Sequence, residues 1–376
     1  MVKDVQYLLA LHSIDGLGPI RLKNLLDRLC LQGDARFAKR ALEPRIAWEA
    51  SRTALLECSV PRNVVDLLLE TRKTLDPEKY MEEISEKGIK WKTIFDEDYP
   101  KLLKEIYDPP LVFYYKGEIL PEDSKALAVV GTRKITGYGK LVTEKFTSEL
   151  VTFGFTIVSG LARGVDSAAH WAAVNGKGRT IAVLGGGLNK IFPPENERLA
   201  KEIENGFGAV ISEFPPDYPS VPGNFPARNR IISGLSLGVL VTEAAVDSGS
   251  LITARFALEQ GREVFAVPGP VTSDLSKGPI DLIKEGAALV SEAGEILEEL
   301  GMGEVSGIRY QVSGENLGKH SEEEKKILEI LENESKHIDE IGRELKLHCA
   351  KVSASLLKME ISGMVRNLGS GIYCKI

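Results

Sequence analysis

Residues 127–170 read LAVVGTRKITGYGKLVTEKFTSELVTFGFTIVSGLARGVDSAAH, and the fold follows from this stretch. Leu127–Val130 and Thr156–Val158 are short apolar runs with β-branched residues, bounded by glycine and too brief for helices. A run that is apolar throughout suits a parallel strand covered on both faces. Between them, Leu141, Val142, Phe146, Leu150 and Val151 lie at helical spacing over Tyr138–Phe153. The stretch therefore reads strand, glycine loop, helix, strand, glycine loop, helix. Each loop leaves the carboxyl end of a strand and carries arginine: Gly131-Thr132-Arg133-Lys134 and Gly160-Leu161-Ala162-Arg163-Gly164. Ligands of open α/β sheets bind at that edge, and helix N-termini there favour anions. Glycine lets backbone approach the ligand, and guanidinium forks suit phosphate. A phosphate-binding edge is the expectation.

The same alternation continues along the chain. Thr180–Leu184, Ala209–Ile211, Val239–Val241, Val264–Val267 and Ala288–Val290 read as further strands, with helices at Glu195–Glu204, Gly249–Gln260 and near Glu292–Leu300. Residues 126–300 are thus expected to form an α/β domain, an extended Rossmann-like, doubly wound parallel sheet of six or more strands. A long polar loop with five prolines between Pro215 and Pro226 runs into Phe225-Pro226-Ala227-Arg228-Asn229-Arg230-Ile231-Ile232. Loops of this length are functional or disordered, and here Arg228 and Arg230 are expected on a loop facing the ligand, or else as solvated surface arginines.

Residues 1–75 read as a helical SAM/HhH-like module. Ile14-Asp15-Gly16-Leu17-Gly18-Pro19 resembles the turn of a helix-hairpin-helix, which exposes amides to phosphate, but a plain inter-helix connection is the favoured reading. Residues 76–125 are a connector punctuated by turns, with Leu111–Tyr115 as a strand at the edge of the main sheet. Residues 301–320 read as a linker. In residues 321–376, a capping box at Ser321-Glu322-Glu323-Glu324 opens a helix to Leu331. His337–Leu345 and Cys349–Ile361 are two more helices, and Met364–Arg366 pairs with Ile372–Lys375 as a wing. This winged-helix pattern suits double-stranded DNA or a protein. Lys351, Lys358, Arg366 and Lys375 against Glu360 leave +3 (4 − 1) after Cys349.

The chain has 376 residues, 43% hydrophobic and 27% charged, enough for two or three ordinary globular domains. No apolar run approaches the roughly 18 residues that cross a bilayer, and no signal peptide is evident. Cys30, Cys58, Cys349 and Cys374 are scattered without a CxxC pair, which fits a cytoplasmic chain with reduced thiols and no metal site. The formal net charge of -7 argues against polyanion binding by the whole surface but leaves room for a local basic groove.

Nicotinamide binding is disfavoured because G-x-G-x-x-G and the acidic residue after the second strand are missing, and no Walker A loop exists. A triad is disfavoured too: His170 is the only histidine between residues 126 and 300, and G-x-S-x-G is absent. No cofactor is indicated. One enzymatic reading survives. Glu243, followed by Ser248-Gly249-Ser250-Leu251-Ile252-Thr253, is similar in layout to the nucleotide phosphoribohydrolases of the lysine decarboxylase-like Rossmann family, although their Gly-Gly-x-Gly-Thr loop is lacking. The alternative makes Glu243 a cap or salt-bridge partner and Ser250 and Thr253 helix-start residues.

Taken together, Gly131-Thr132-Arg133, the run Ser159 to His170, Pro193-Pro194-Glu195-Asn196, the run Phe225 to Gly234, Ser248 to Ala254 and Gln260 to Gly269 resemble the DprA/Smf family. These blocks cover most of residues 110–300 in order, and the helical start and winged-helix end also match long members. The resemblance implies a non-enzymatic protein that binds single-stranded DNA, loads RecA recombinase onto it during natural transformation, and forms a homodimer through the Rossmann domain. Arg133, Arg163, Arg228 and Arg230 would contact phosphates. Gly131, Gly160, Gly164 and Asn229 would shape the loops, with Thr132, Lys134, Ser250 and Thr253 completing the DNA-binding set. Phe225 and Tyr138 are candidate stacking residues. The chain departs from the family at Gly186, where cysteine is frequent, and at Ala227, where arginine is frequent.

Overall fold

The apolar runs flanking Gly131 and Gly160 lie at the centre of a nine-stranded sheet. The structure, a computed structural model, describes residues 4–30, 43–302, 322–332, 334–345, 347, 349–361, 364–369 and 371–375. They fall into two units, Met1–Gly303 and Glu304–Ile376.

In the first unit six helices come first: α1 (Val5–His12), α2 (Pro19–Cys30), α3 (Pro44–Glu49), α4 (Arg52–Glu57), α5 (Arg62–Thr74) and α6 (Pro77–Glu86). Then come β1 (Lys90–Thr93), α7 (Lys101–Lys104), β2 (Val112–Gly117), β3 (Ala126–Val130), α8 (Gly137–Thr152), β4 (Thr156–Ser159), α9 (Val165–Asn175) and β5 (Thr180–Leu184). The unit continues through α10 (Glu197–Glu202), β6 (Gly208–Ser212), α11 (Asn224–Gly234), β7 (Gly238–Val241), α12 (Gly249–Glu259), β8 (Glu263–Ala266), α13 (Lys277–Lys284), β9 (Ala288–Leu289) and α14 (Ala293–Glu299). Strand order is β1-β2-β6-β5-β4-β3-β7-β8-β9. From β6 to β9 all pairings are parallel, while β1/β2 and β2/β6 are antiparallel. The chain winds outward from β3 to β6 and then returns to β7 on the other side of β3, so the order of connection reverses there. That reversal opens the crevice in which such sheets hold ligands.

Three expectations are corrected. Leu111–Tyr115 does supply a strand, β2, but the edge beyond it belongs to β1. Leu282–Ile283 lies within α13. The segment Asn224–Gly234 is helix, not loop. Pro226 sits in its first turn, where a missing N–H costs no intrahelical bond. From Arg228 to Gly234 every residue of α11 is buried, packed against the sheet, α7 and α12, so the helix shows no polar face.

The first helices do not pack by themselves. Leu8, Leu9, Leu11, Leu22 and Leu25 share one apolar cluster with Val112, Tyr114, Ala182, Leu184 and Val210 of the sheet. His12 Nδ1 lies 3.2 Å from Tyr114 Oη across that boundary. The turn between α1 and α2 holds Gly16 at φ 80°, where a Cβ would come within 2.9 Å of Val64.

The second unit is a winged helix: α15 (Glu322–Ile330), β10 (Lys336–His337), α16 (Ile338–Leu345), α17 (Cys349–Ile361), β11 (Val365–Gly369) and β12 (Ile372–Lys375). The strands pair in the order β10-β12-β11, and Ile327, Ile341, Val352, Leu356, Met359 and Val365 form the core. The short β10 was not foreseen. The expected capping residue Ser321, and the linker beyond Met302, lie outside the described residues.

Candidate functional site

The loop after β3 is held by a carboxylate from the loop after β7. Glu243 is 2% exposed and accepts from Thr136 N at 3.0 Å and Thr136 Oγ1 at 2.6 Å. Its carbonyl accepts from Thr132 N at 2.7 Å. Thr136 in turn caps α8 by accepting from Gly139 N at 3.0 Å. The backbone leaves no room at Gly131, where a Cβ would lie 2.6 Å from Glu243 O. Thr132 is buried; its Oγ1 accepts from Lys134 N at 3.1 Å, which turns the exposed Arg133 and Lys134 outward.

The loop after β4 is folded by Asp166 of α9, whose Oδ2 accepts from Gly160 N at 3.2 Å and Ala162 N at 3.3 Å. Gly164, at φ 77°, takes a conformation that side chains resist, and a Cβ there would meet Thr132 O at 2.2 Å. Val165 N donates to Thr132 O at 3.1 Å, so the two loops are sewn together. Asn196 adds a brace by donating from Nδ2 to Leu161 O at 2.8 Å.

Arg228 enters this frame from α11. It is 4% exposed and donates from Nη1 to Val183 O at 2.5 Å, while its Nε has no partner. Gly160 is what admits it: a Cβ there would stand 2.0 Å from Nη1. Burial, with the nearby Arg133 charge adding to it, lowers the Arg228 pKa to about 10, and Asp166 opposes the shift. Burial likewise raises the pKa of Asp166. Arg228 therefore stays cationic at neutral pH in a place poor in water, where an anion gains most.

Above it the Arg133 guanidinium lies 5.2 Å from the centroid of the Phe225 ring, and Phe192 lies 6.0 Å from Phe225. Arg163 is exposed and pairs with Glu195. Arg133, Gly160, Ala162, Arg163, Phe192, Pro193, Phe225 and Arg228 line one pocket of about 60 Å³, the size of a phosphate group and no larger.

The structure thus brings Gly131, Thr132, Arg133, Lys134, Gly160, Arg163, Gly164 and Arg228 to one rim. It does not bring Arg230, Asn229, Ser250 or Thr253 there. Residues two apart on a helix point about 200° apart, so Arg230 faces away from Arg228. Its Nε donates to Asp108 Oδ2 at 2.8 Å and its Nη2 to Glu213 Oε1 at 2.6 Å, so its charge is used internally. Asn229 Nδ2 donates to Gly249 O at 3.1 Å and ties α11 to the start of α12. Ser250 Oγ lies 2.8 Å from the capping Ser248 Oγ, and Thr253 is 1% exposed where α11 and α12 pack. Tyr138 donates to Pro268 O at 2.6 Å and does not line the pocket. His170 is buried with Nδ1 2.7 Å from Thr180 Oγ1, and burial, with Arg228 next, depresses its pKa to about 3. Glu243 keeps both carboxylate oxygens on Thr136 and does not line the pocket, which leaves the hydrolase reading without its acid.

Phe192 was missed, and the one signal for it is its place before the Pro193-Pro194 pair. Among the described residues, no cluster of three or more His, Cys, Asp or Glu side chains could hold a metal, and no helix is long and apolar enough to cross a membrane.

A family model for DNA recombination-mediator protein A matches residues 90–301, and one for the DprA winged helix domain matches residues 315–371. Protein Smf of Synechocystis sp. is 36% identical over 96% of either chain. The crystal structure of DNA processing protein A from Streptococcus pneumoniae superposes with a TM-score of 0.67 at 35% identity, covering 80% of this chain and 99% of that one. DNA processing protein A from Helicobacter pylori, whose structure concerns its single-stranded DNA binding mode, gives a TM-score of 0.50 at 31% identity over 56% of this chain and 95% of that one.

Proposed function

Since the chain belongs to the DNA recombination-mediator protein A family, the DprA/Smf proteins, we propose that its Rossmann-like unit binds single-stranded DNA at the rim of β3 and β4. One observation carries this: three guanidiniums and two aromatic rings converge on a pocket of about 60 Å³. A phosphate seats between Arg228 on the floor and Arg133 and Arg163 on the walls, and the flanking bases stack on Phe225 and Phe192. Single strands are held this way largely without sequence preference, because every base has a π-face and every linkage a charge. Arg228 differs from the others in being already desolvated, so its contact resists salt screening better than those of Arg133 and Arg163.

Family membership extends the proposal to loading of RecA recombinase on the bound strand in recombination and transformation, to a homodimer through the Rossmann-like unit, and to the absence of catalysis. The test is fluorescence anisotropy with single- and double-stranded oligonucleotides at two salt concentrations. The protein should prefer the single strand, and Arg133→Ala should weaken it while lowering the log–log salt slope by about 0.7. Equal affinity for both strands, or an Arg133→Ala titration that superposes on the parent, defeats the reading. For loading, the protein should speed DNA-dependent ATP hydrolysis by RecA on protein-coated single strands; no acceleration removes that part.

A further inference from the structure

Away from the DNA rim, the sheet face that carries α11 is unevenly covered. Helices α12 and α13 pack over β7 and β8, whereas the β2–β6–β5 side is roofed by the four-residue α7 and by the turns around it. The gap is a cleft of about 520 Å³, a volume typical of small-molecule sites. Its floor and walls are apolar: Tyr99, Phe113, Ile119, Ile181, Ile211 and Leu235. Tyr99 has its hydroxyl turned away, donating to Pro110 O at 2.8 Å.

One charge breaks this lining. Lys92 of β1 is 8% exposed and lines the cleft. Its ammonium has three N–H groups, and its one partner is the carboxylate of Asp98, whose side chain is 75% exposed. The other acid deep in the lining, Asp123, is already engaged by Arg179 at 2.7 Å and by Thr156 and Leu120 N at 2.8 Å. A buried cation is costly unless paired and fully hydrogen-bonded. Here its only counter-ion sits on a surface turn and is free to swing into water. The Lys101 side chain stands on the rim and adds a second cation.

We propose that this cleft is a binding site for a small amphipathic monocarboxylate, an aliphatic or aromatic body with one anionic head. The body lies on Phe113, Ile181, Ile211 and Leu235, and the carboxylate takes the free donors of Lys92, displacing Asp98. A neutral apolar molecule fills the same space but leaves those donors unmet, and a cation meets Lys92 head-on.

Titration calorimetry of the full chain with sodium octanoate, and separately with 1-octanol, tests this. Octanoate should bind saturably and at least about tenfold more tightly than octanol. Lys92→Met should abolish that difference, and Asp98→Asn, which removes the competing carboxylate and leaves Lys92 in place, should strengthen octanoate binding. Thermal melting of both variants reports whether they fold; if Lys92→Met does not, the sign of the Asp98→Asn effect decides alone. The proposal is overturned if octanoate shows no saturable binding, if octanol binds as tightly, or if Asp98→Asn weakens octanoate. It is also overturned if only a peptide ending in an apolar residue binds.

Discussion

Replacing Gly160 with alanine probes the pocket at its tightest point. The new Cβ would stand 2.0 Å from Arg228 Nη1 and 2.6 Å from its Cζ, so the guanidinium has to leave. Leaving breaks the 2.5 Å bond to Val183 O, and loss of a buried bond from a charged donor costs about 1–3 kcal/mol. The same displacement empties the pocket floor, and a charge-assisted bond to phosphate of about 1.5–3 kcal/mol goes with it. Single-stranded DNA affinity should therefore fall about tenfold to a hundredfold, and the melting temperature should drop by a few degrees. Gly137 is the control, because a Cβ there meets nothing within 4 Å; Gly137→Ala should change neither. Anisotropy and thermal melting of Gly160→Ala, Arg228→Ala and the double variant close the cycle. If Gly160 acts through Arg228, the double variant binds no worse than Arg228→Ala alone. Independent, additive losses, or a Gly160→Ala protein with unchanged affinity, refute the reasoning.

Arg230→Met should destabilise the fold by about 3–5 kcal/mol, because it strands the buried Glu213 carboxylate. Measured below the lowered melting point, its DNA affinity should match the parent; a large selective loss of binding would return Arg230 to the interface. Glu195→Gln frees Arg163 from a carboxylate that competes with phosphate, so binding should tighten roughly two- to threefold, a small gain because exposed pairs are weak; weaker binding contradicts this. His170 and His12 are buried neutral, with pKa values lowered from 6.5 to about 3 and about 4. Unfolded chains take up these protons first as pH falls below 6.5, so stability is full above that pH and is lost on the way down to pH 4. The loss is roughly 2–3 kcal/mol for each histidine by the lower limit. Melting temperature against pH should flatten over that window in His170→Asn, and an unaltered profile rules it out.

The sheet was legible because its strands are buried on both faces, and uninterrupted β-branched runs such as Ala126–Val130 have no competing reading. The rim was legible for the same reason: glycine and arginine directly after such runs must lie at a carboxyl edge. Helix α11 was not, because burial on all sides erases the polar/apolar period that reveals a helix. Misreading it as loop put Arg228 and Arg230 on the same side, whereas helical geometry parts them. The partners that hold Arg230, Asp108 and Glu213, come from elsewhere in the chain, and only tertiary structure shows that its charge is already used. Phe192 was invisible because nothing local tells a stacking aromatic from a core one. Likewise, amphipathic helices before residue 75 announce an apolar face without saying what meets it.

What meets that face is the sheet itself, and this bears on how the protein comes apart. With Leu8, Leu22 and Leu25 seated in the same interior as Val112, Tyr114 and Val210, the amino-terminal helices have no separate melting of their own: residues up to about 300 should lose structure in one cooperative event. Trimming the chain back to Pro77 would leave an oily flank on the remainder, prone to clump. The leading helices are better regarded as the missing side wall of the barrel-stave sheet than as an appendage carried beside it.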